Sequence, residues 1–443
     1  MALRIELWGP PLAPLTGGNV YDRMLVEALD RRGHEVTLRE FTGVGPEPPA
    51  ASGRADVILQ DELLHREFRR RNAAAKGRRP RIIALVHHLQ SSEPERGESQ
   101  RGRLREEERA YLRTVDGVLA PSRASAAAAR ELAGRPLPFA VAPPGRDRFA
   151  GAELPPRPDA TAIRARAAGP LRAAFVGNLI PRKRLLELLE GLAPVSDWSL
   201  SVAGREDMSP GYAAEAQRRA AARDLSGRVQ FHGALGPAAL ADLLRKSTVL
   251  AVPSTHEGFG IVYLEGFAFG LPALAAASGG ASEIVNDGET GWRIRPSVSR
   301  AASVVISDCL RRLAADRDRL AAMALRAVER HRIHPTWEES AAAAETFFTL
   351  QQQDSLRLGG ARNPPPGENQ PAEEEDRESP GTSRKPHQLE QPESGGHHES
   401  RGADGPAKAF EKARQPARSR TFRIETTAPD QIVAAETDQE RDA

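Results

Sequence analysis

Short apolar runs alternate with amphipathic stretches over the first 350 residues. RIELWGP (4–10) reads as a strand and leads into a glycine-containing loop, LTGGN (15–19). Val20, Met24, Leu25, Ala28 and Leu29 then share one helical face, and Gly33 marks its end. HEVTLREF (34–41) completes a strand–helix–strand unit, which implies a parallel sheet with right-handed crossovers. Further strands are predicted at 55–60, 81–88, 117–122 and 138–144, with helices around Leu104–Leu112 and Ala124–Leu132. The proline- and alanine-rich stretch within 151–170 breaks this rhythm and reads as a connection.

A second series follows, with strands at 171–179, 198–204, 228–233, 248–254, 271–277 and 291–296. Amphipathic helices alternate with them at Leu185–Gly191, Tyr212–Arg223, Ala238–Lys246 and Ile261–Gly270, and a helical run spans Ala301–Leu350. The pattern predicts an α/β chain of two doubly wound, Rossmann-like domains in tandem. Its expected divisions are 1–155, a linker at 156–170, a second domain at 171–335, a helix at 336–351 that crosses back onto the first domain, and a tail at 352–443. The tail is rich in Pro, Glu, Gln, Ser and Gly and poor in large apolar residues, so it is expected to be disordered.

Composition narrows the classes. Lys and Arg number 62 against 60 Asp and Glu, which gives no electrostatic reason to expect nucleic acid as a partner. The basic runs Arg69–Arg71 and Lys76–Arg81 read as solvated faces. Cys309 is the sole cysteine, so no intrachain disulfide forms, and a reducing, cytoplasmic setting is expected. MALRIELWGPPL lacks the basic start and long apolar run of a signal peptide, and no window approaches a membrane span. Peripheral contact with the inner face of a membrane stays open, as does the oligomeric state.

The chemistry concentrates in STHEGFGIVYLEGFAFG (254–270). This is a glycine-rich loop after a strand, leading into a helix, at the edge where open parallel sheets bind ligands. The free amides of Gly258, Phe259, Gly260 and Ile261 at the helix start suit a phosphate. Glu257 and Glu265 stand eight residues apart, a helical rise of roughly 12 Å. That spacing suits one carboxylate on each polyol of a nucleotide diphosphate sugar, with the diphosphate between them. Two glutamates at this distance also arise by chance, and Glu265 reads equally as an ordinary helix charge.

PSTHEGFGIVYLEGFAFGLPALAAASGGASEIVNDGETGW resembles, nearly position for position, the signature of retaining glycosyltransferase family 4, whose fold is the two-lobed GT-B architecture. The resemblance covers about residues 1–345. It implies that Glu257 contacts the transferred sugar, that Glu265 holds the ribose, and that Lys183 in VGNLIPRKRLLELL neutralises the leaving diphosphate. Two departures stand out: Asn178 replaces an arginine, and Arg184 replaces a glycine. Either Arg182 or Arg184 is then expected to supply the second cation. The resemblance also implies donor contacts from Gly17 and Gly18 and a histidine beside the sugar. His87, as a neutral imidazole, fits best, and His88 is the alternative. Gly279 and Gly280 read as close-approach positions, Glu283 as a support for its own loop, and Trp337 as packing. The proline and glycine of VAPPGRDRF (141–149) read as structural.

The expected activity is a metal-independent, retaining transfer of a sugar from a nucleotide-sugar donor to an acceptor hydroxyl of a lipid, glycan or small molecule. No cofactor or metal is expected, and base, sugar and acceptor stay open. The rival readings are a non-catalytic nucleotide-sugar binder and a GT-B relative such as a sugar-nucleotide epimerase.

Overall fold

The computed structural model describes residues 2–13, 16–41, 54–74, 79–149 and 158–360, with side chains to residue 353. The expected tail lies outside them, apart from the residues that prolong the last helix. In the first domain the strands are β1 (Arg4–Gly9), β2 (Glu35–Glu40), β3 (Val57–Asp61), β4 (Arg81–Leu85), β5 (Gly117–Ala120) and β6 (Phe139–Val141). In the second they are β7 (Leu171–Val176), β8 (Trp198–Ala203), β9 (Val229–Phe231), β10 (Val249–Ala251), β11 (Ala273–Ala276) and β12 (Gly291–Ile294). Each predicted apolar run overlaps one of these strands, with ends displaced by up to three residues.

The helices are α1 (Gly17–Arg31), α2 (His65–Ala74), α3 (Glu98–Leu112), α4 (Arg123–Ala133), α5 (Pro158–Arg166), α6 (Leu185–Leu192), α7 (Pro210–Ala220), α8 (Pro237–Lys246), α9 (Ile261–Ala268), α10 (Ala281–Ile284), α11 (Ala302–Ala315), α12 (Arg317–Arg332) and α13 (Trp337–Gly360). Both sheets are parallel throughout and lie in one unit that runs to Asp354. The first has the order β2-β1-β3-β4-β5-β6, which reverses between β1 and β3. The second has the order β12-β11-β10-β7-β8-β9, which reverses between β7 and β10. At such a reversal the following loops diverge to opposite faces and leave a crevice beyond the C-terminal strand ends.

Alternation along the strands sets the two faces of the first sheet. Ile5, Leu7, Leu59 and Ile83 pack with α1 on one side, while Trp8, Ile58, Ile82 and Ala84 pack with Phe68 and Tyr111 on the other. α13 closes the first side with Trp337, Ala341, Ala344, Phe347 and Phe348. Each aromatic side chain fully buried here contributes roughly 2–3 kcal/mol. Gly145 permits the chain to enter α13, because a Cβ there would fall 2.2 Å from Trp337 N.

Two expectations need correction. The stretch read as a linker contains α5, whose Ala162 and Ala165 belong to the second core. Thr161 of α5 is buried and packs so closely on Gly270 (φ 66°) that a Cβ there would lie 2.6 Å from its Cγ2. The run Arg69–Arg71 lies on α2, and Arg71 is not merely solvated, since its guanidinium sits 4.5 Å over the ring of Trp8. Residues 76–78 of the other basic run lie outside the described residues. Among the described residues, no helix is long and apolar enough to cross a membrane.

Candidate functional site

The reversal between β7 and β10 brings two loops together. β7 ends at Val176, and the turn after it folds Lys183 back, so that a Cβ on Gly177 would lie 3.3 Å from Lys183 Cε. Gly204, beyond β8, leaves room for this turn; a Cβ there would collide with the Gly177 carbonyl at 1.8 Å. The loop after β10 carries Ser254 and Glu257. Lys183 Nζ donates to Glu257 Oε1 at 2.6 Å, Arg182 Nη1 to Oε2 at 3.3 Å, and Ser254 Oγ to Oε1 at 2.5 Å.

Burial pushes the Glu257 carboxyl up, but the charges of Lys183 and Arg182 outweigh it and hold its pKa at about 2. Burial and the neighbouring Arg182 pull the Lys183 ammonium below its ordinary value despite Glu257. For Arg182, burial is outweighed by Glu257 and Glu93, and its value rises. Arg182, unlike Arg184, thus points into this cluster, while Asn178 sits in the turn with its carbonyl accepting from Ile180 N at 2.9 Å. Arg184 does not reach Glu257. It adopts a left-handed φ of 55°, and its nearest carboxylate is Glu187 at 3.8 Å. A left-handed position is where glycine carries no penalty.

Glu265 is buried on α9 and forms an ion pair with Arg148, a residue that sequence reasoning missed. Burial lowers the Arg148 guanidinium to about 10, with Arg23 adding to the effect. Nothing in RDRF distinguishes this arginine from the other basic residues of the chain. Thr16 Oγ1 caps α1 by accepting from Asn19 N at 3.1 Å, and a Cβ on Gly17 would lie 3.8 Å from Ile261 Cγ2 at the start of α9. Two helix N-termini, one from each domain, thus converge on one gap, and both offer free amides and positive dipole ends.

The domains meet backbone to backbone at Gly258, where a Cβ would fall 2.0 Å from the His87 carbonyl. Ser122 Oγ donates to Gly258 O at 2.6 Å, and Ser125 Oγ to His87 O at 2.9 Å. Gly279 and Gly280 pack on the same loop; Cβ atoms there would lie 2.0 Å from Glu257 O and 2.1 Å from Gly258 O. Gly260 has φ 88° and stacks over Tyr263, while Phe259 is buried with its ring 5.6 Å from that of His334. Glu283 does more than support its own loop. Its carboxylate accepts from Arg123 N at 3.1 Å and Ala124 N at 2.8 Å, which caps α4 from across the gap. Glu93, also missed, reaches back from the first domain: it lies 3.6 Å from Arg182 Nε and 2.9 Å from His88 Nε2.

His87 follows β4 and lies under Gly18, where a Cβ would come 3.6 Å from its Cδ2. It was expected to be a neutral imidazole, and the structure corrects this. Burial pushes its pKa down, but Asp22, Glu62 and Asp61 around it raise it to about 10. Asp22 Oδ1 lies 3.0 Å from His87 Nε2, and Glu62 accepts the His87 and His88 amides at 3.0 and 3.2 Å. Burial lifts Asp61 to about 6 and raises Glu62 well above its ordinary value. Among the described residues, Asp22, Asp61 and His87 are grouped so that a metal ion can be held, with donor atoms within 4.8 Å of one another.

Residues 157–324 match the family model described as glycosyl transferases group 1. Over 141 residues the chain is 35% identical to D-inositol 3-phosphate glycosyltransferase of Streptomyces avermitilis, covering 32% of this chain and 29% of that protein. Its namesake in Nocardia farcinica is 40% identical over 122 residues, 28% of this chain and 26% of the relative. The matched segment thus spans under a third of either relative's length. Among solved structures, sucrose-phosphate synthase from Thermosynechococcus elongatus superposes with a TM-score of 0.59 at 20% identity, over 81% of this chain and all of that one. Anabaena Alr3699/HepE in complex with UDP and glucose superposes with a TM-score of 0.60 at 19% identity, over 81% and 100% of the two chains. These likenesses establish the GT-B fold.

Proposed function

We propose, from the match of residues 157–324 to the group 1 glycosyl transferases, that the chain transfers a sugar from a nucleotide diphosphate sugar to an acceptor hydroxyl, with retention and with no metal on the diphosphate. The observation that carries this reading is the buried Glu257 held between Lys183 and Arg182, beside the start of α9. The diphosphate lies in the gap between the starts of α1 and α9. Lys183 then offsets the charge that builds on the leaving phosphate, as preorganised transition-state stabilisation. Glu257 accepts from hydroxyls of the transferred sugar, and Glu265 exchanges Arg148 for the ribose hydroxyls. His87 lies on the first-domain side of the sugar. Contact between the domains at Gly258 excludes water and suppresses donor hydrolysis. The UDP and glucose bound by the Anabaena neighbour make a uridine donor the first to test.

The test is calorimetry and single-turnover transfer with radiolabelled UDP-sugars, then other nucleotide sugars. Binding with transfer or slow hydrolysis is expected. Lys183→Met should lower turnover by at least about 100-fold, on the scale of losing one charged transition-state contact. Donor binding with no turnover of any kind would favour the non-catalytic reading, and no binding across the panel would overturn both.

A further inference from the structure

We infer that Asp22, Asp61 and His87 form a site for one divalent transition-metal ion in the first domain. The three residues come from α1, the end of β3 and the segment after β4, and they meet at the C-terminal edge of the sheet where its order reverses. The contact between Asp22 Oδ1 and His87 Nε2 is short, at 3.0 Å, yet it is not aligned as a hydrogen bond. Neither Asp22 oxygen has any hydrogen-bond partner, although the residue is only 1% exposed. A buried carboxylate without a donor is costly. Two donor atoms each about 2.1 Å from one ion lie about 3 Å apart without pointing at each other.

The remaining groups fit supporting parts. Asp61 Oδ1 already accepts from Leu63 N at 2.8 Å, which fixes the carboxylate at the end of β3. Glu62 is engaged by two backbone amides and sets the position of His87. The imidazole edge lies beneath Gly18, where a Cβ would come 3.7 Å from Nε2. Two carboxylate oxygens and one imidazole nitrogen suit Mn²⁺ or Zn²⁺ better than Mg²⁺ or Ca²⁺. The site belongs to the opposite domain from Lys183 and Glu257 and does not stand in for them.

The full chain, stripped with chelator, is titrated with Mn²⁺ while free ion is followed by electron paramagnetic resonance. One tightly held ion per chain is expected, with a rise in melting temperature. Asp22→Asn and Asp61→Asn should each weaken it at least tenfold, whereas the exposed Asp207→Asn should not. Mn²⁺ also avoids confusion with the histidines at 397–398, which favour Zn²⁺. Should the two buried variants fail to fold, the wild-type spectrum decides: coupling of the bound Mn²⁺ to one imidazole nitrogen supports the site. Absence of that coupling, no bound ion, or unchanged affinity in both folded variants overturns it.

Discussion

At the residue scale the two glutamates of STHEGFGIVYLEGFAFG have different surroundings. Glu257 is bonded within its own domain, to Lys183, Arg182 and Ser254. Its folded pKa of about 2 lies below the ordinary 4.5, so its contribution to stability is complete above 4.5 and is lost as the pH falls towards 2. Urea denaturation should therefore show Glu257→Gln less stable than wild type at pH 7, by on the order of 3 kcal/mol. That gap should close between pH 4.5 and 2; a gap constant across this range would contradict the assigned ionisation. Glu265 answers instead to Arg148. Removing either partner leaves a buried charge alone, costing about 3–5 kcal/mol. A cycle of Glu265→Ala, Arg148→Ala and the double variant should give a coupling of at least about 1 kcal/mol, and simple additivity would deny the pair.

At the element scale, the turn between β7 and α6 shows how local conformation and chemistry are divided. Arg184 occupies a left-handed position in that turn without contributing to the cationic pair on Glu257. Arg184→Gly should raise stability by roughly 0.5–1 kcal/mol, because relief of the left-handed penalty exceeds the added entropy of the unfolded chain. Donor affinity should not change; a loss would show that the guanidinium takes part. The elements that sequence patterning missed have a physical reason in common. α2 has Phe68 as its only buried large apolar residue, and α5 is covered through alanines and a threonine, so neither has a strong apolar period. The long strands, by contrast, were visible because both faces of a parallel sheet are covered.

At the scale of the whole molecule, the two domains are held face to face by polar contacts. Glu283 on the N-terminus of α4, the serines of that helix on Gly258, and Glu93 against Arg182 all cross the gap. Glu283→Ala should loosen this contact while leaving each core intact. Small-angle scattering should then show a larger radius of gyration without donor, and donor affinity should fall several-fold. An unchanged radius and affinity would mean that the serine contacts suffice. α13 fixes the working length of the chain: Arg81 donates to Gln351 O at 2.8 Å and Gln352 to Asp56 O at 2.6 Å. A shortened protein should thus keep Gln352 rather than stop at 351.

The sequence by itself determined the strand order in time, the two tandem cores, and the loop that carries Glu257. Those follow from the spacing of apolar residues and from glycines whose conformations few other residues reach. It did not determine which charges would meet. Arg148 finds Glu265 and Glu283 finds α4 across more than a hundred residues of chain, and carboxylates on other elements favour the protonated form of His87. Such pairings depend on where two separately folded sheets come to rest against each other. Burial then magnifies every charge that remains, so the ionisation of the site is a property of the assembled tertiary structure.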